Sequence, residues 1–205
     1  MTDMGAIEFV TIEVADTTAA EAFYAAAFEL GPTVRVRAST APTTGFRGFT
    51  MSLVVSRPGT VNSLIDSAVD AGAKALKPAA KSLWGYGGVV QAPDGTIWTI
   101  ASSSKKDTGP ATRQIDAIVL QLGATDVAAS KQFYLDHGLT VAKSYGSRYV
   151  ELDTGPVKLA LNKRGALAKT AGVSPDGTGS HRLLIGSDAG AFTDPDGFVW
   201  EAPAT

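Results

Sequence analysis

Two groups of residues in this chain could do chemistry. The first is the segment Ser82-Leu83-Trp84-Gly85-Tyr86-Gly87-Gly88. Trp84 and Tyr86 offer flat faces with a polar tip, and a glycine such as Gly87 lets backbone approach a ligand closely. That mixture suits capture of a flat, apolar molecule in a concave site. The same residues could instead close a sheet edge, with the glycines shaping a bulge. The second group is the pair of histidines, His137 and His181. His137 stands beside Gly138 at a helix end, where an imidazole meets the negative end of the helix dipole. Other chemistries are absent. There is no cysteine, so disulfides, thiolate nucleophiles and cysteine-held zinc or iron–sulfur centres are excluded. No serine triad is evident, and the GYGG stretch lacks the Lys-Ser/Thr of a phosphate-binding loop.

Strand and helix periodicities say what must position these residues. Ile7–Val14 alternates and is β-branched, so it reads as a strand, with Phe9, Thr11 and Glu13 on one face. Asp16 can cap an alanine-rich helix over 17–28. Strands are expected at 34–38 and 46–55, with Phe46, Phe49 and Thr50 as candidate cleft residues. A loop is expected at 40–45 and a helix over 61–71. A short strand at 75–78 precedes a hairpin, 87–91 with 96–101, around Pro93-Asp94-Gly95. Thr99 shares a face with Ile97. Residues 102–113 are polar and turn-rich and read as a linker. Beyond it come a strand at 115–122, a helix over 127–137, and strands near 140–144, 149–152 and 157–161. A short helical or turn segment at 164–170 and strands at 181–185 and 198–202 follow. Tyr145, Arg148 and Tyr149 are further lining candidates.

Landmarks recur in order. Asp16-(x)6-Phe23-Tyr24 returns as Asp126-(x)6-Phe133-Tyr134, and Pro93-Asp94-Gly95-x-x-Trp98 returns as Pro195-Asp196-Gly197-x-x-Trp200. Duplication accounts for this, and it predicts halves at 1–103 and 114–205 joined by a linker at 104–113. Each half is expected to have lost a different piece: only the first has room for a helix before its last hairpin. The 205 residues carry a net charge of −2 with scattered Lys and Arg, so no nucleic-acid footprint is expected. No stretch approaches a membrane span, and the first residues lack a signal-peptide pattern. A cytoplasmic monomer or homodimer with a small-molecule partner is the expectation.

With these motifs in hand, the chain resembles the vicinal-oxygen-chelate superfamily, which includes glyoxalase I, bleomycin-resistance proteins and extradiol dioxygenases. The resemblance implies an α+β fold: two glyoxalase-like halves of βαβββ-type modules, with mixed curved sheets enclosing a cleft. It also implies four metal-ligand positions, His or Gln in a module's first strand and Glu in its last. Here those positions fall at Phe9, at Ala117 or Val119, at Thr99 and at Glu201, with Thr50 and His181 on the neighbouring strands. One His181/Glu201 pair survives and its partners are blank, so no metal ligand set and no cofactor is assigned. Zinc, nickel or iron would be the ions implied if other donors completed the shell. Two functions follow. One is metal-free sequestration of a hydrophobic, aromatic small molecule. The other is an isomerase or lyase of the superfamily in which Glu201 acts as general acid or base with His181, with or without a divalent metal. A third outcome is a structural module without a ligand. The scaffold by itself does not choose among them.

Overall fold

The computed structural model describes residues 5–203. In chain order the elements are β1 (Ile7–Val14), α1 (Thr17–Ala27), β2 (Val34–Ala38), β3 (Thr43–Gly45), β4 (Phe49–Val54), α2 (Pro58–Asp70), β5 (Lys74–Ser82), β6 (Gly85–Gln91) and β7 (Ile97–Ser102). After the linker come β8 (Ala117–Ala124), α3 (Val127–Asp136), β9 (Thr140–Ser144), β10 (Tyr149–Asp153), β11 (Val157–Lys163), α4 (Arg164–Ala171), β12 (Gly177–Gly179), β13 (Leu183–Ser187), β14 (Phe192–Thr193) and β15 (Val199–Glu201). No helix among the described residues is long and apolar enough to cross a membrane.

The elements make a large sheet ordered β5-β6-β7-β4-β8-β11-β10-β9 and a smaller one ordered β14-β15-β13-β1-β2. Each contains strands from both sides of the linker. The large sheet has a repeated plan: β4-α2-β5-β6-β7 and β8-α3-β9-β10-β11 both put the first strand parallel to the last, and β4 meets β8 antiparallel at the centre. Two shorter units, β1-α1-β2 and β13-β14-β15, share the small sheet. This corrects the expected matching of the halves. Helix α2 has a counterpart in α3, and β5-β6-β7 have counterparts in β9-β10-β11. What is short is the unit at each end of the chain. The linear motifs misled because the helix motif and the Pro-Asp-Gly motif of each pair lie in different units. Smaller departures are local: the 40–45 loop contains β3, paired with β12, and His181 stands ahead of the strand it was expected to open.

Alternation sorts the large sheet's side chains. Met51, Leu53, Trp98, Ile100, Leu120, Leu122, Leu159 and Leu161 point into one continuous core shared with α1, α2, α3 and the small sheet. The recurring motifs clamp that core. Asp16 caps α1 as expected, and Asp126 caps α3 in the same way. The Tyr24 hydroxyl donates to Asp94 Oδ2 at 2.6 Å and accepts a 3.4 Å bond from Trp98 Nε1. In the second copy the Tyr134 hydroxyl donates to Asp194, the residue before Pro195, and its ring packs on Trp200. Asp196 instead ties the last turn to the start of α3, accepting from the Thr125 amide and the Ser130 hydroxyl. Each tyrosine therefore bolts a helix to the hairpin of the next unit.

Burial, with the adjacent Asp94 or Asp194, pushes both phenols well above their usual range, and burial pushes the Asp194 carboxyl up as well. Removing one hydroxyl leaves a buried carboxylate short of a donor. Tyr134→Phe is therefore expected to cost about 1–3 kcal/mol in urea unfolding. The phenols also set an alkaline limit. Unfolded tyrosines ionise near pH ~10 while these two stay protonated, so stability is complete below that pH and falls as pH rises through it. Urea melts at pH 9 and pH 11 should show the loss, and a Tyr24→Phe/Tyr134→Phe double variant should show a smaller one.

Candidate functional site

The face of the large sheet opposite the core is crossed by α4. Leu167, Ala168 and Ala171 of that helix pack on Phe46, Val89 and Ile97 in a second apolar cluster. Close approach at the start of α4 requires Gly123 on β8, where a Cβ would sit 3.0 Å from the Arg164 Cα and 2.9 Å from the Gly48 carbonyl. Helix α4 thus divides this open face.

Register shows what the floor carries. One row runs Val89, Thr99, Ser52, Val119, Lys158 across β6, β7, β4, β8 and β11. The next runs through Thr50, Gln121, Ala160 and Glu151. Gln121 Nε2 donates to Ser52 Oγ at 2.6 Å and Asn162 Nδ2 donates to Gln121 Oε1 at 3.1 Å. Tyr149 donates to Glu151 at 3.0 Å, and burial, with the neighbouring Glu151 charge, lifts its phenol well above the usual range. The hydroxyl of Thr50 is buried without a partner. Thr50, Thr99 and Tyr149 were expected to line a cleft; Ser52, Gln121, Glu151 and Asn162 were not, although they are visible as polar residues alternating with apolar ones.

Along the β5–β7 edge of the same face lies a groove of about 320 Å³. It brings together Trp84, Tyr86, Gly87 and Thr99 from the expected ligand set, with Thr170 of α4 beside them. Trp84 is 85% exposed and Leu83 79%, so the hairpin tip between β5 and β6 presents an indole ring and an aliphatic side chain to solvent. The Tyr86 side chain turns to the other face of the sheet, where it donates to Asn62 of α2 and packs against the main core. Gly87 serves the sheet: its Cβ would meet the Ile100 carbonyl at 2.8 Å. Phe46 and Phe49 line a different cavity, described below.

The remaining candidates lie elsewhere. Phe9 and Thr11 are on the small sheet, with the Arg35 guanidinium 3.6 Å over the Phe9 ring. Glu201, on the same sheet, binds Arg37 at 3.2 Å. His181 stacks on Phe198 at 3.9 Å, and its ring nitrogens face the carbonyls of Arg47 and Asp196 at 2.6 and 2.8 Å. Glu201 registers with Gly186, three strand residues past Leu183, or about 10 Å along the strand. His181 and Glu201 are therefore held apart, each with other partners. His137 is the C-cap of α3, bonded to the Phe133 carbonyl and stacked on that ring. Tyr145 and Arg148 lie in the exposed turn before β10.

The metal positions of the fold can now be judged by their donors. Thr99, Thr50 and Val119 share the open face, while Phe9 and Glu201 are on the other sheet. Hydroxyls and an aliphatic side chain do not fit a zinc, nickel or iron shell. Among the described residues no group of three or more His, Asp or Glu could hold an ion.

No family model and no curated protein matches the sequence. Solved structures do. Glyoxalase I from Zea mays superposes with a TM-score of 0.62 at 15% identity, over 95% of this chain and 90% of that one. A Bacillus subtilis protein designated a dioxygenase gives a TM-score of 0.57 at 12% identity, over 91% of this chain and 71% of its own. At these identities the likeness establishes the fold, which is that of glyoxalase I. It is the fold expected from the motifs.

The seat of α4 generates a prediction. Gly123→Val overpacks the floor against the Arg164 backbone and is expected to cost about 1–3 kcal/mol by denaturant unfolding.

Proposed function

We propose that this protein binds a flat, apolar small molecule, without a metal, in the groove beneath Trp84. The observation that carries this reading is the groove itself. Exposed Trp84 lines the groove together with Thr99, Ala101 and Val89, and Thr50, Thr99 and Val119 of this face stand where the fold's metal-dependent members need imidazoles and carboxylates. An aromatic ligand would slide between the Trp84 face and the aliphatic floor, burying apolar area at about 25 cal/mol per Å². Thr99 and the backbone of the glycine-rich strand would fix its orientation. We place the protein in the cytoplasm and read the recurring motifs as an internal duplication.

A thermal-shift screen of planar aromatic compounds tests this. A ligand at a hundred times its Kd should stabilise the fold by about 2.7 kcal/mol. Trp84→Ala, at so exposed a site, should alter the unliganded stability by no more than about 0.5 kcal/mol yet abolish the shift. Shifts that persist in Trp84→Ala, or that require an added divalent ion, overturn the reading.

A further inference from the structure

A second cavity, of about 290 Å³, opens beside the β6–β7 turn and is lined by Phe46, Arg47, Phe49, Gln91, Ile97 and Val173. Its walls are mostly apolar, and its cation is unusual. Arg47 donates through Nη2 to the Asp94 carbonyl at 2.6 Å, but its Nη1 is buried and meets no acceptor. Arg182 repeats the pattern: one nitrogen bonds the Ser39 carbonyl at 2.8 Å while Nε is buried without a partner. Arg164, over the Phe46 ring, spends its protons on the Phe46 and Pro175 carbonyls. Among the described residues no carboxylate lies within salt-bridge distance of any of the three. Asp94 is occupied by Tyr24 and the Thr96 amide. Burial pulls the Arg47 guanidinium below its usual range; the charge of Asp94 opposes this and that of Arg182 adds to it.

A buried guanidinium with an unused donor and no counter-ion is costly. A ligand carboxylate would supply both the acceptor and the charge, in a short charge-assisted bond. We propose that this cavity is a separate binding site for an organic carboxylate, which pairs with the Arg47 guanidinium as Nη1 turns out of its buried position to donate, and whose apolar body packs on Phe46 and Ile97. Asp176 stands on the rim, bonded to Ser174, and its charge disfavours a dianion such as phosphate. The site is independent of the Trp84 groove and does not rest on the function proposed for it.

Benzoate and benzamide are the matched probes, compared in wild type and in the Trp84→Ala background, which removes the flat-aromatic groove, at fixed ionic strength with sodium sulfate as the inorganic control. Benzoate is expected to raise Tm by about 2–4 °C at saturation, with benzamide and sulfate giving no comparable rise. Arg47→Gln should weaken benzoate at least about tenfold. Because Arg47 also ties the turn, Val173→Trp serves as the second variant: it fills the cavity with Arg47 in place, and should also remove the benzoate shift. Trp84→Ala should leave that shift intact. Equal shifts from benzamide or sulfate, no shift with benzoate, survival of the shift in Val173→Trp, or its loss in Trp84→Ala each overturn the proposal.

Discussion

Everything functional here depends on the antiparallel seam between Phe49–Val54 and Ala117–Ala124. It joins strands some seventy residues apart and sets a single parity for both. Met51, Leu53, Leu120 and Leu122 go to the core, while Thr50, Ser52, Val119 and Gln121 go to the open face. A slip of one residue would bury the Ser52–Gln121 pair in hydrocarbon and expose the leucines. The opposing demands of the two faces therefore fix the register, and the register fixes which side chains the grooves present.

Two further constraints tie the layers together. The Tyr24–Asp94 and Tyr134–Asp194 bonds fasten α1 and α3 to hairpins of later units, so distant segments close as one core. At the loops, arginine and histidine side chains bind backbone carbonyls: Arg47, Arg164, Arg182 and His181 hold residues 39–48 against the 175–182 segment and the two Pro-Asp-Gly turns. Positive charge accumulates there because carbonyl dipoles, rather than carboxylates, do the fastening.

The candidate site was legible in part. Trp84, Tyr86, Gly87 and Thr99 come from one hairpin and its neighbouring strand, so local spacing sufficed to group them. Phe46 and Phe49 were recognised as lining residues, but they border another cavity: Phe46 packs under α4 while the Phe49 ring faces Phe198 in the main core, and nothing in the Arg164–Ala171 sequence says which face that helix will cover. His181 and Glu201 were paired by their positions in the motif. That pairing ignored the two carbonyls facing His181 and the arginine on Glu201, contacts made by residues far away in sequence. Arg47 gave no signal at all, since an arginine after a phenylalanine in a loop reads as surface.

The sequence by itself determined most of the element types, the helix cap at Asp16, the turns at the two Pro-Asp-Gly motifs, the glyoxalase-like character of the fold and the scarcity of metal donors. These are local or compositional properties, set by propensity, period and residue chemistry. Only the tertiary structure decided which strands share a sheet, where α4 lies, and which polar atoms end without partners. Those depend on long-range register and on burial, and a side chain's hydrogen-bonding account closes only when every neighbour is in place.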